Sequence, residues 1–212
     1  LSDDGSTDNT LAVAQSLEES LPRVRVVGYS CNRGRGYAIK YAAKSTKGKY
    51  IIFADLDFPQ TTSLTRILEM ADSLKKNQVV IGSRFLPESS TKRFLTRSLV
   101  SRAHRLLLKL IFPWVGIKDP DVGFKGFQTS SFHRINKLSK MNRWSWDLEV
   151  IVIAQKNHLR MVEIPIDWNE KHTSYTSAVN IFRASLEELK GMLQIKKSLK
   201  KSYYEFKNKV KE

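Results

Sequence analysis

Apolar residues along this chain return in two alternating periods. Leu11, Ala14, Leu17 and Leu21 recur at helical spacing behind a turn-rich opening, Ser2-Asp3-Asp4-Gly5-Ser6-Thr7, in which Ser6 or Thr7 can cap the helix. Val24-Arg25-Val26-Val27 reads as a short strand, and the glycine-bearing loop 30–37 enters a helix running to about Ser45. Tyr50-Ile51-Ile52-Phe53-Ala54 is a continuous apolar run bounded by Gly48 and Pro59, the pattern of a strand buried on both faces. Leu64, Ile67, Leu68, Ala71 and Leu74 then predict an amphipathic helix, and Val79-Val80-Ile81-Gly82-Ser83-Arg84 a second buried strand. Strand and helix alternate, which predicts an α/β fold with a mainly parallel central sheet flanked by helices.

The pattern changes after Glu88. No acid occurs between Glu88 and Asp119, whereas Lys92, Arg93, Arg97, Arg102, Arg105, Lys109 and Lys118 alternate with leucines and with the aromatic end Phe112-Pro113-Trp114. Such a basic amphipathic helix suits a membrane surface or another anionic face; a core helix with a solvated side shows the same spacing. The lack of acid and the aromatic end favour the membrane surface. Asp119 to Phe127 forms a loop-and-strand unit whose Lys125 is a natural phosphate contact. Trp144-Ser145-Trp146-Asp147-Leu148-Glu149 opens an apolar helix. Its two carboxylates suit the helix dipole, or else orient an acceptor or a metal-bound sugar. The stretch 160–168 reads as a strand closing the globular part. Residues 1–176 are therefore expected to form one domain, and 177–212 a helical tail in which lysines sit beside Leu186, Leu189, Met192, Leu193 and Leu199. Each such lysine near anionic headgroups contributes about 1 kcal/mol.

Composition sharpens this. A 212-residue chain with 41% hydrophobic residues can bury a sizeable core, and its net charge of +15 implies an anionic partner: nucleic acid, an anionic membrane or phosphorylated substrates. The single cysteine, Cys31, excludes an internal disulfide framework and fits a reducing compartment. The four histidines lack metal-ligand spacing, so zinc is not expected. No apolar run reaches the length that crosses a bilayer. The chain opens on Leu1 rather than Met, directly ahead of a motif, so a preceding piece is expected.

Candidate chemistry centres on Asp55 and Asp57, where the most apolar strand ends. Ionised carboxylates there need partners or a cation, and open α/β sheets bind ligands beyond the carboxyl ends of their strands. A divalent ion held by both acids and by the diphosphate of a nucleotide fits the pair. Asp3 and Asp4 can accept hydrogen bonds from a base or ribose, or can simply cap. Gly34-x-Gly36 starts like a dinucleotide fingerprint, but Ile39 occupies the third glycine position. What is left is a loop carrying Arg33 and Arg35 at a helix N-terminus, suited to phosphate or to solvent.

Taken in order, Asp3-Asp4-Gly5-Ser6-Thr7-Asp8, Asn32-Arg33-Gly34-Arg35-Gly36 and Asp55-Leu56-Asp57 resemble family 2 glycosyltransferases with the GT-A fold. Ile81-Gly82-Ser83-Arg84-Phe85, Gly123-Phe124-Lys125, Asp147-Leu148-Glu149 and Glu163-Ile164-Pro165-Ile166-Asp167-Trp168 are similar to the polyprenyl-phosphate branch, with its dolichyl-phosphate mannosyl- and glucosyltransferases and bacterial undecaprenyl counterparts. The likeness runs from Asp3 to about Asn180. The family's opening strand, with its Pro-x-Tyr-Asn-Glu-like motif, is missing here. Leu56 stands where Ala is usual, Pro59 where some members carry Gln, and Ser174-Tyr175 where a Ser-Lys pair is common.

The resemblance implies metal-dependent, inverting transfer of a hexose from a UDP- or GDP-sugar to a polyprenyl phosphate. The expected setting is the cytoplasmic face of a membrane. It implies Mg²⁺ or Mn²⁺ on Asp57, with Asp55 nearer the ribose or reaching the metal through water, and Asp3 or Asp4 on the base. Arg33 and Arg35 would then bind the nucleotide sugar, and Arg97, Arg102 and Lys125 the acceptor phosphate. Asp147 would orient or accept a proton. A phosphate acceptor loses its second proton near pH 6, so no strong base is required. Competing expectations are a transferase acting on a polysaccharide or other hydroxyl acceptor, and a basic nucleic-acid-binding module. Paired acids and the lack of an RNP-like or helix-turn-helix signal oppose the latter.

Overall fold

A computed structural model describes residues 1–56, 64–92, 95–169 and 186–199. In chain order its elements are β1 (Ser2–Asp3), α1 (Thr10–Ser20), β2 (Val27–Gly28), α2 (Arg35–Ala43), β3 (Tyr50–Ala54), α3 (Leu64–Ser73), β4 (Val79–Ser83), β5 (Thr91–Lys92), α4 (Leu95–Ile111), β6 (Phe124–Gln128), α5 (Thr129–Leu138), α6 (Trp146–Lys156), β7 (Met161–Pro165) and β8 (Trp168–Asn169). A last helix, α7, spans residues 186–199.

The main sheet has the order β3-β6-β4-β7. β4 and β7 are parallel, whereas β6 is antiparallel to both β3 and β4, so β3, β4 and β7 all point one way. Every residue of β4 is buried, as its unbroken apolar run predicts, whereas β3, at an edge of this sheet, buries only Ile51 and not the two faces that its own run predicts. Burying Val79, Val80 and Ile81 contributes about 1.5–3 kcal/mol each.

β6 shows how the two faces are covered. Successive strand residues point to opposite sides. Gly126 faces α3 so closely that a Cβ would lie 2.9 Å from Met70 and Leu74. Phe127 faces the other way, into an aromatic cluster with Phe53, Phe132 and Trp146 (ring centroids 5.3–6.4 Å apart) built on β3, α5 and α6. Lys125 shares the side of Phe127. That one alternation aims a lysine at the N-terminus of α6.

Several expectations need correction. α1 starts at Thr10, not at Ser6 or Thr7; Asn9 is its N-cap without a side-chain bond, and the Asp8 carboxylate accepts the Thr10 N–H at 3.0 Å. α1 buries none of its residues. The strand expected over 24–27 reduces to Val27–Gly28, and the one expected over 160–168 breaks at Ile166 and Asp167 into β7 and β8. α5 has no counterpart in the sequence reading, although Phe132 and Ile135 are buried at helical spacing. α7 falls within the expected tail, and its Met192 and Ile195 join the core cluster. Residues 177–185 and 200–212 of that tail lie outside the described residues.

Gly36 lies where α2 crosses α6: a Cβ there would sit 2.5 Å from Cβ and Cγ of the fully buried Trp146. Gly36→Ala should overpack this crossing by about 1–3 kcal/mol, against about 1 kcal/mol gained in helix propensity. The expected result is a lower urea midpoint with an unchanged slope; an equal or higher midpoint would show that the crossing can relax.

Candidate active site

β3 ends by delivering Asp55. The Asp55 N–H donates to the Gly123 carbonyl at 3.0 Å, and the Asp55 carboxylate fills the space that a side chain on Gly123 would occupy, its Oδ2 lying 1.8 Å from an ideal Cβ. The glycine ahead of β6 is thus the seat of this acid. Across from it, Arg35 opens α2. Its Nε donates to Asp55 Oδ1 at 2.6 Å, and its Nη1 donates to Asp147 Oδ2. Asp147 Oδ1 accepts from Lys125 Nζ at 2.6 Å, and Lys125 also donates to the Val122 carbonyl at 2.5 Å. Two cations and two carboxylates, contributed by four elements, therefore alternate in a neutral chain.

Exposure falls along this chain. The Asp55 side chain is 32% exposed, Arg35 13%, Asp147 3% and Lys125 0%, which puts Asp55 at the mouth and Lys125 at the floor. Burial pushes the Asp147 carboxyl upward, and the Lys125 and Arg35 cations pull it back. The Arg35 guanidinium also lies over the Phe53 and Trp144 rings at 5.4 and 5.8 Å. Its Nη2 is buried without a hydrogen-bond partner among the described residues. An unpaired buried donor costs about 1–3 kcal/mol.

The loop that carries Arg35 is held by Asp4. That carboxylate accepts from Tyr29 Oη (2.6 Å), Asn32 Nδ2 (2.9 Å) and the backbone N–H of Arg33 (2.8 Å) and Gly34 (3.0 Å). Gly34 has φ +101°, a conformation that favours glycine, and a Cβ there would meet Arg143 and the Asn142 carbonyl at 2.7 Å. Asp3 closes its own turn, accepting from the N–H groups of Gly5 and Ser6 and from the Ser6 hydroxyl, which holds its carboxyl below the usual range. Both acids therefore serve donors of this chain. Arg33 points away from the cluster, donating to Tyr37 Oη at 2.7 Å and lying over the Tyr29 and Tyr37 rings.

The structure thus brings Arg35, Asp55, Lys125 and Asp147 together. Lys125 is sealed from solvent, with Asp147 as its partner in place of the phosphate expected from the sequence. Arg102 is exposed on α4; the side chain of Arg97 on the same helix, and all of Asp57, lie outside the described residues. Glu149 parts from Asp147: it is buried and accepts from the Ser139 hydroxyl and the N–H groups of Lys140 and Met141, fixing the turn before α6.

The sequence reading did not foresee a second polar cluster. Arg84 donates to Asp119 through Nε and Nη2, both at 2.7 Å, and Asp119 and Lys118 donate their N–H groups to Glu163. Its signal was one arginine and two acids in separate motifs of a basic chain.

Among the described residues no three His, Cys, Asp or Glu side chains come together as a metal cage. Asp55 brings one hard oxygen donor group to the mouth, and Asp57 follows two positions later. This suits a cation such as Mg²⁺, which uses one or two carboxylates and takes its other ligands from water and substrate phosphates.

Residues 1–135 match the sequence model of the family described as Glycosyl transferase family 2. A dolichyl-phosphate beta-glucosyltransferase of Dictyostelium discoideum is 29% identical over 202 residues, covering 92% of this chain and 61% of its own length. The enzyme of that name from Saccharomyces cerevisiae is 31% identical over 186 residues, with 79% and 55% covered. Glycosyltransferase AglD of Haloferax volcanii is 29% identical over 173 residues, with 81% and 27% covered. The chain spans less than two thirds of the length of these relatives. Glucosyl-3-phosphoglycerate synthase from Mycobacterium tuberculosis, solved with Mn²⁺, UDP and glucosyl-3-phosphoglycerate, superposes with a TM-score of 0.66 at 17% identity, over 91% of this chain and 66% of its own. Mannosyl-3-phosphoglycerate synthase from Rubrobacter xylanophilus gives 0.64 at 18% identity, with 91% and 61% covered. The fold of the chain is the GT-A fold.

Removing one partner from a buried ion pair is costlier than removing both. Lys125→Met should destabilise the fold by about 3 kcal/mol, and adding Asp147→Leu should restore at least half of that loss in urea titrations. A single variant as stable as the parent would mean that Asp147 does not depend on Lys125.

Proposed function

This chain belongs to glycosyl transferase family 2, and from that premise we propose that it transfers a hexose from a UDP- or GDP-sugar, with inversion, to a polyprenyl phosphate at a membrane surface. The observation that carries the proposal is the neutral chain Asp55–Arg35–Asp147–Lys125 at the end of β3. It sets a cation and a carboxylate side by side where a strand end meets a helix N-terminus, the place at which α/β folds hold phosphorylated ligands. The dolichyl-phosphate glucosyltransferases among the relatives support the acceptor class.

Asp55 and Asp57 would hold Mg²⁺ or Mn²⁺, which when bound supplies Lewis-acid stabilisation of charge on the departing nucleoside diphosphate. Arg35, one step inside the mouth, would add positive charge near the same phosphates. Asp147 has a cation on each oxygen, so its part is to fix Arg35 in place and orient the reacting groups. Lys125 acts through Asp147. The acceptor phosphate is a nucleophile near neutral pH and needs positioning, for which Arg102, and Arg97 on the same helix, supply charge.

The surface supports lipid as the source of that acceptor. α4 exposes Leu106, Leu107 and Leu110 and leads to the exposed Trp114, and α7 exposes Leu186 and Leu193. His104 links the two helices, with Nδ1 3.3 Å from Asp121 and Nε2 3.4 Å from Glu188. Arg102, Lys109 and Lys190 are exposed on the same helices, a composition suited to lying on an anionic bilayer. Among the described residues no helix is long and apolar enough to cross a membrane.

Purified protein incubated with polyprenyl phosphate, Mg²⁺ or Mn²⁺ and UDP-glucose or GDP-mannose should form the lipid-linked sugar. Asp57→Ala should cut that rate at least a hundredfold with an unchanged circular-dichroism spectrum; retained activity would remove the metal assignment. In vesicle sedimentation, Leu106→Glu with Leu110→Glu should weaken binding to anionic liposomes at least tenfold. Equal binding would place the membrane face elsewhere.

A further inference from the structure

Residues 118–123 form the loop that carries the seat of Asp55, and both of its ends are tied to the body of the fold. Glu163 accepts the N–H groups of Lys118 and Asp119, and the Asp119 carboxylate takes Arg84. At the other end the Val122 carbonyl accepts from Lys125 Nζ, and the Gly123 carbonyl accepts the Asp55 N–H. Between these anchors stands Asp121. Its Oδ2 lies 3.3 Å from Nδ1 of His104 on α4, and Nε2 of the same ring lies 3.4 Å from Oε2 of Glu188 on α7. The His104 side chain is 15% exposed against 36% and 41% for the two acids, so the imidazole is the inner member of the trio.

An imidazole so placed can donate to one carboxylate when neutral and to both when protonated. Burial pushes the Glu188 carboxyl upward, and His104 pulls it back. Asp121 also bears on the charged chain, because its negative charge adds to the burial that pushes the Asp147 carboxyl upward. A donor held against Asp121 offsets that charge. The two helices that His104 joins are the ones that turn leucines outward, Leu106, Leu107 and Leu110 on α4 and Leu186 and Leu193 on α7. Direct contacts therefore run from both of these helices, through one side chain, to Asp121, two positions before the glycine that seats Asp55.

We propose that His104 is a positioning residue that links the bilayer to the site: seating α4 and α7 on an anionic membrane holds the 118–123 loop, and with it Asp55, in the arrangement that takes the metal and the diphosphate. The inference rests on the transferase reading above and adds how the membrane surface regulates that site. Such a link is reciprocal, so filling the site strengthens bilayer binding by the same factor by which the bilayer strengthens filling. It requires no displacement of Asp55, only less freedom in the loop that carries its seat.

Equilibrium dialysis of UDP in saturating Mg²⁺, with and without phosphatidylserine–phosphatidylcholine vesicles that contain no polyprenyl phosphate, tests the proposal. In the parent protein the vesicles should lower the Kd for UDP by about fivefold or more, and UDP with Mg²⁺ should raise vesicle binding in sedimentation by the same factor. The ratio is the readout, because a merely structural defect weakens an affinity without uncoupling the two. His104→Phe should bring the ratio below about twofold, and His104→Gln, which keeps one donor, should leave it in between. Glu188→Gln should lower it as well, and decides the matter if His104→Phe alters the circular-dichroism spectrum. A ratio as large in these variants as in the parent, or a parent that binds UDP and vesicles independently, would overturn the link alone. A parent that failed to bind UDP and GDP, or that failed to bind vesicles, would remove the nucleotide or the membrane from the transferase reading, and this inference with it.

Discussion

A carboxylate with 3% of its side chain exposed, held between an ammonium and a guanidinium, is the constraint on which this structure depends. Asp147 is too deeply buried to stay ionised unaided, since desolvating a lone carboxylate costs several kcal/mol. Lys125 and Arg35 answer it from two directions, one from the middle of the sheet and one from the first turn of α2. Their positions then dictate others. Lys125 must leave β6 on the side of Phe127, which sets the face on which α5 and α6 pack. Arg35 must reach over Phe53, which places its Nε against Asp55. Structural charge balance and the candidate chemistry are thus one arrangement: the floor is closed by Lys125, and the mouth is left to Asp55.

The glycines around the site serve the same end. Gly123 makes room for the Asp55 carboxylate, Gly34 turns the Arg35 loop through a left-handed conformation, and Gly36 lets α2 approach Trp146. Asp4 completes the loop by collecting donors from 25 to 30 residues away. A motif that resembles a base-binding acid is, in its geometry, the anchor of the arginine loop. Precision at Arg35 is built from backbone contacts, and these tolerate little side-chain volume.

Much of this was legible in the residues themselves. The apolar run from Tyr50 to Ala54 announces β3, and its acidic end announces the site. Arg35, Asp55, Lys125 and Asp147 can each be picked from a motif. The acid-free stretch after Glu88 announces α4. What the residues conceal is partnership across distance: Arg35 and Asp147 are 112 positions apart, and no local pattern says that they touch. Lys125 reads as a phosphate contact because a lysine is usually exposed. Only its alternation with Phe127 in a central strand reveals that it points inward. α5 escapes notice because it lacks a side-chain cap and follows β6 without a breaker.

The central claim is that the charged chain at the end of β3 meets the nucleotide sugar, and the Arg35 side chain is its most direct reporter. The Nε–H resonance of Arg35, identified by its loss in Arg35→Lys, should be followed by NMR as UDP-glucose and Mg²⁺ are added. The account predicts a saturable shift of that resonance at the same midpoint as binding measured by calorimetry. An Arg35 signal that stays fixed while calorimetry reports saturation would place the nucleotide elsewhere and contradict it.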